Sequence, residues 1–205
     1  MAAEFAGTAI LVAAIVGSGI MGERLANGNA AIALMANSLA TGAVLMALIL
    51  TFASVSGAHF NPVITLAASR TKRSLPSVTS QFAGGILGVA AANAMFGLPV
   101  FFASQHIRAG LAQLLSEAIA TFGLVTIVRV SASPFAIAGY IVGAYWFTSS
   151  TSFANPAVTV ARALTDTFSG IRPVDLPGFL VAQAAGGLSA ALFSNWLTSK
   201  PEEQS

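Results

Sequence analysis

Charged residues cut the chain into long apolar stretches. Segments 5–22, 25–58, 74–105, 130–161 and 176–199 contain no Asp, Glu, Lys or Arg, and each equals or exceeds the roughly 18 residues that mark a candidate membrane span. A further stretch near 107–130 carries Arg108, Glu117 and Arg129. With the turn signals between them, the pattern predicts six spans, near 4–22, 31–54, 79–101, 110–130, 134–150 and 177–198. The first opens on Glu4, lacks a basic leader and is followed by more spans, so it is expected to stay attached. Gly and Ala are abundant in the spans, as in Gly84-Gly85 with Gly88 and in Gly186-Gly187. Such small residues let helices approach closely in lipid, and packing is their expected role.

Composition agrees. Of 205 residues 56% are hydrophobic and 8% charged, against roughly 25% charged in soluble domains. The expected class is an all-α membrane protein, one domain over residues 1–205 with its surface in a lipid bilayer. There is no cysteine, which removes disulfides and thiolate metal sites. An isoelectric point near 9.5 rests on a net charge of +2, too little to argue for a nucleic-acid partner. Only His59 and His106 offer imidazole chemistry. Without a nucleophile, base and acid set or a metal cluster, neither an enzyme nor a cofactor is expected.

The chain also repeats itself. Glu4-Phe-Ala-Gly-Thr8 is answered by Glu117-Ala-Ile-Ala-Thr121, Gly57-Ala-His-Phe-Asn-Pro-Val63 by Thr151-Ser-Phe-Ala-Asn-Pro-Ala157, and Gln81-Phe-Ala-Gly-Gly85 by Gln183-Ala-Ala-Gly-Gly187. Three landmarks recur in one order, in halves of approximately 1–101 and 110–205. With three spans per half the second half crosses in the opposite sense, an inverted repeat that puts a site at the midplane. The positive-inside comparison is nearly even; the compact Arg70, Lys72, Arg73 cluster tips the amino terminus toward the cytoplasm.

Each half contains an Asn-Pro element. Asn is a natural N-cap and Pro suits the first helical position, so helices are predicted to begin at Asn61-Pro62-Val63 and Asn155-Pro156-Ala157. From Asn61 to Arg70 such a helix covers about 15 Å, half of a roughly 30 Å hydrocarbon core. Its N-terminus therefore lies at the midplane, and the segment ending at Arg162 reads the same way. Non-helical backbone at that depth is tolerated where it is buried in protein or lines a wet cavity. A water-filled path follows, lined by carbonyls, two Asn amides and two positive helix ends that repel cations.

At these residues the sequence resembles the aquaporin and glycerol-facilitator family, the major intrinsic proteins. The resemblance covers nearly the whole chain, through Glu4 with Gly7-Thr8, Ser56-Gly57-Ala58-His59 before the first Asn-Pro, Glu117, and Asn155-Pro156-Ala157. It implies six tilted helices plus two half-helices, one pore per subunit, a homotetramer in the cell membrane, and passive permeation of water and small neutral solutes. Asn61 and Asn155 resemble the pore-lining asparagines, Glu4 and Glu117 the carboxylates that brace the half-helix loops, and His59 a pore-lining histidine.

The departures carry information too. Family members selective for water or conducting glycerol place an arginine after the second Asn-Pro-Ala; here that residue is Val158. The family's spacing puts the companion filter positions at Thr41, Gly143 and Ser152. All four are small, implying a wider constriction without fixed guanidinium donors. Val63 stands where the first signature usually has alanine, and a packing adjustment is expected where the half-helices meet. The pattern resembles bacterial aquaglyceroporin-like channels found with arsenic-resistance genes, which implies compact neutral solutes such as arsenite. Arg162, one helical turn beyond Val158, either restores a charge nearer the outer mouth or pairs with Asp166 at i+4. An ordinary water channel and a secondary transporter remain the alternatives; the latter shares inverted repeats and broken helices.

Overall fold

The computed structural model describes residues 1–68 and 74–199. The cluster Arg70, Lys72 and Arg73, on which the orientation reading leaned, lies outside the described residues, as does the end of the first half-helix at Arg70.

Helices alone make up the regular structure among the described residues. The first half contains α1 (Ala2–Leu25), α2 (Ala30–Ser56), the short α3 (Pro62–Ala68) and α4 (Ser74–Met95). The second contains α5 (Leu111–Val130), α6 (Pro134–Phe147), the short α7 (Pro156–Arg162) and α8 (Leu176–Thr198), the last entered through a 3-10 turn at Pro173–Asp175. Polar caps set several starts. Asn29 Oδ1 accepts from the Ala31 and Ile32 amides at 3.1 and 3.2 Å, and Ser133 Oγ accepts from Ala136 ahead of α6. At the end of α2, Gly57 takes the left-handed φ of 88°, a conformation glycine adopts without steric cost.

Two boundaries differ from expectation. Among the described residues the third span runs Ser74–Met95 rather than 79–101, because Gly97, at φ 69°, and Pro99 end the helix. The fifth ends at Phe147, giving 14 residues or about 21 Å, short of a roughly 30 Å hydrocarbon core. After it the chain turns inward through Thr148–Ala154 instead of continuing to the surface. Among the described residues five helices are long and apolar enough to cross a membrane, and α6 is the shorter sixth.

The halves share one main pairing, α1 on α4 and α5 on α8, while α2 packs on α1 and α6 lies more on α2 than on α5. Glycine makes the two main contacts possible. A Cβ on Gly84 would stand 2.3 Å from the Phe5 carbonyl oxygen, and one on Gly186 would stand 2.2 Å from that of Ala118. These positions correspond in the repeat, so helix backbones touch at equivalent points in each half. The outer surface is apolar, with Leu39, Leu50, Leu111 and Trp196 exposed, while Glu4, Gln81, Glu117 and Gln183 are buried. That is the reverse of a water-soluble domain and what a lipid solvent selects.

Candidate functional site

The half-helices start where two irregular loops, 57–61 and 148–155, meet inside the bundle. Ala58, Phe60, Thr151, Ser152 and Ala154 adopt positive φ values between 47° and 59°. Strained backbone of this kind persists only where surrounding groups hold it.

Two buried carboxylates do the holding. Glu4 accepts from Ser56 Oγ at 2.6 Å, the His59 amide at 3.1 Å, the Phe60 amide at 2.8 Å and Gln81 Nε2 at 2.7 Å. Glu117 accepts from Ser150 Oγ at 2.6 Å, the Phe153 amide at 2.8 Å, the Ala154 amide at 2.9 Å and Gln183 Nε2 at 2.7 Å. Both glutamines also donate to half-helix threonines, Gln81 to Thr65 and Gln183 to Thr159, each at 2.8 Å. The inverted repeat thus extends to single hydrogen bonds. Four donors fill the roughly four acceptor sites of a carboxylate, leaving neither group free for other chemistry.

The asparagines lock the loops together. Asn61 Nδ2 donates to the Ala154 carbonyl and Asn155 Nδ2 to the Phe60 carbonyl, each at 2.8 Å. Their Oδ1 atoms cap the half-helices, Asn61 accepting from Val63 at 3.0 Å and Asn155 from Ala157 and Val158 at 3.0 and 3.3 Å. Each amide nitrogen keeps one N–H beyond its cross-loop bond, and both asparagines line a cavity of about 340 Å³ that Ile15, Leu45, Ile49, Leu124 and Ile141 wall on the apolar side. Its polar side is His59, whose Nδ1 lies 3.2 Å from Thr65 Oγ1, together with Thr41, Tyr145, Ser152 and Arg162; Val158 also faces it.

The other predicted positions divide. Gly143 is not brought to the cavity: it is exposed on the outer face of α6. Tyr145 from that helix reaches the cavity instead, its hydroxyl 3.3 Å from Thr41 Oγ1. Two residues are about 200° around a helix, so counting back from Asn155 through an irregular loop turned the position outward. A buried tyrosine in an apolar helix was the signal available for it. Val63 does not crowd the other half-helix; its Cγ1 fills the space over Gly187, 2.2 Å from where a Cβ would stand there. The expected adjustment therefore falls between α3 and α8.

Arg162 is 1% exposed and does not pair with Asp166. That carboxylate accepts from the Gln105 amide at 2.8 Å and stands 4.0 Å from His106. Arg162 Nε donates to the Ser169 carbonyl, and its guanidinium lies over the Phe153 ring, 3.3 Å from the centroid. Arg108, unremarked as a site residue in the sequence, is 4.9 Å from that centroid. It donates to the Gly170 and Ser150 carbonyls at 2.8 and 3.1 Å, and burial pushes its pKa below the usual arginine value. Among the described residues no cluster of His, Cys, Asp and Glu could hold a metal ion.

Comparisons with known proteins agree with this geometry. The family model described as "Major intrinsic protein" matches residues 1–138. Aquaglyceroporin AqpS of Rhizobium meliloti (strain 1021) is 48% identical over 206 residues, covering 95% of this chain and 88% of its own. A probable aquaporin TIP-type of Medicago truncatula is 31% identical, covering 98% of this chain and 88% of its own. Aquaporin NIP1-1 of Arabidopsis thaliana is 30% identical over 69% of this chain and 51% of its own.

Proposed function

The chain belongs to the major intrinsic protein family, and on that premise we propose a passive channel for water, glycerol-like solutes and metalloid acids such as arsenite. The observation that carries the reading is the pair of asparagine amides on one cavity, cross-bonded to the opposite loops at 2.8 Å. Their free N–H groups and the two helix N-termini offer donors to a passing oxygen and a positive field to a passing cation. A 340 Å³ cavity with apolar walls and a few convergent polar groups suits small neutral solutes.

The finer substrate choice rests on the filter. Val158 leaves no guanidinium at its own position, and Thr41 and Ser152 are small, favouring compact polyhydroxyl molecules over water alone. Arsenous acid, neutral near pH 7, is such a molecule. Saturation of Glu4 and Glu117 by four hydrogen bonds each argues against proton coupling and so against a secondary transporter. The assembly proposed is a homotetramer in the cell membrane with its amino terminus in the cytoplasm; chemical cross-linking and a protease-sensitive amino-terminal tag test these points.

The deciding experiment is proteoliposome flux of water, glycerol and arsenite for the parent and Val158→Arg. Passage of arsenite or glycerol by the parent, lost on substitution while water flux persists, supports the wide filter. A water-selective reading is favoured by the 3.3 Å approach of Thr41 to Tyr145, which narrows one side of the pore. A parent passing water alone, unchanged by the substitution, would establish that reading instead.

A further inference from the structure

The cavity holds a cation that position 158 does not supply. Helix α7 runs outward from Asn155, and four residues at about 1.5 Å each put the Arg162 Cα about 6 Å beyond that of Val158. Side chains on a helix lean toward its N-terminus and long ones lie over the preceding turn. A guanidinium carried at 162 therefore swings back toward the level of Val158, where the valine leaves room. Arg162, Val158 and Ser152 face the same cavity, and the guanidinium rests on Phe153, next in the chain to Ser152. That ring is itself backed edge-on by Phe179, 5.2 Å between centroids.

The donors of Arg162 are largely unspent. Its one side-chain hydrogen bond among the described residues is from Nε to the Ser169 carbonyl; Nη1 and Nη2 have no protein acceptor there and no carboxylate pairs with them. A buried guanidinium in that condition is tolerable only if the free N–H groups meet water or solute. Arg108 differs, because carbonyls of Gly170 and Ser150 occupy its fork.

We infer that Arg162 is the selectivity-determining cation of this channel, its free Nη groups delivered to the level of Val158 and held over Phe153. This rests on the channel reading above. Two parallel donors fit the adjacent hydroxyls of a polyol or of a neutral oxyacid, and the fixed charge repels protons and metal cations. Phe153 acts through Arg162 as a positioning residue.

Because the chain contains no cysteine, Arg162→Cys creates a single thiol. In proteoliposomes this variant is expected to raise proton and potassium leak roughly tenfold or more. Treatment with 2-aminoethyl methanethiosulfonate, which rebuilds a positive charge, should return the leak toward the parent value, while the uncharged methyl reagent should not. Parent-like leak, or equal restoration by both reagents, overturns the inference. If Arg162→Cys does not assemble, Phe153→Leu carries the test: the charge stays but its platform goes, and the glycerol-to-water flux ratio should change by about threefold or more. An unchanged ratio overturns the inference. A parent that passes no solute overturns the channel reading and this inference together; a conducting parent with parent-like variants overturns this inference alone.

Discussion

At the scale of single residues, the site depends on saturated polar groups. Glu117 is 0% exposed and is the common acceptor for Ser150, Phe153, Ala154 and Gln183. In Glu117→Gln one acceptor oxygen becomes an NH₂ group, so at least one buried donor faces another donor. The expected cost is about 1–3 kcal/mol, read as a lower melting temperature in detergent with weakened solute flux. An unchanged melting temperature would show that the loop is held by other groups.

At the scale of elements, contact depends on matching large residues to glycine. Val63 on α3 occupies the space above Gly187 on α8, whereas in the other half Ala157 lies near Gly85, where a Cβ would stand 3.2 Å from the Ala157 carbonyl oxygen. Gly187→Ala is expected to destabilise the fold by about 1–3 kcal/mol through overpacking, and Val63→Ala in the same chain to recover most of that. Chemical denaturation of the single and double variants measures the coupling; additive effects would exclude the contact as the cause. The short helices owe their direction to such contacts, since the seven residues of α7 and the seven of α3 among the described residues are too few to hold a helix alone.

At the scale of the whole molecule, a clasp ties the loop that connects the halves to the entry of α8. The Arg108 amide, on the loop after α4, donates to Asp175 Oδ2 at 2.9 Å, and Arg172 bonds both oxygens of that carboxylate at 3.1 and 2.9 Å. The Arg172 guanidinium holds Asp175 below the ordinary carboxylate value near 3.8. Because the folded value is depressed, the clasp contributes fully above the unfolded value and is lost as pH falls through the folded one. Hydrogen exchange at the Arg108 amide should therefore be protected at neutral pH and lose protection under acid beyond the intrinsic pH trend. Asp175→Asn should weaken the protection at neutral pH and remove its acid dependence.

Much was legible because lipid imposes simple rules. Apolar runs set the number of spans, the paired Asn-Pro elements marked two broken helices, and three recurring landmarks revealed the inverted repeat, all of them local in the chain. Tertiary structure alone decided which side chains meet. Gly143 was misplaced and Tyr145 missed because register does not carry through a loop of left-handed residues between Thr148 and Asn155. Arg162 left two readings open, since a side chain's partner depends on what folds back beside it. Ser169 and Phe153 took it, while Asp166 turned to Gln105 and His106. Short-range pattern determines where a helix starts in this protein, and packing across the bundle determines what each helix presents to the pore.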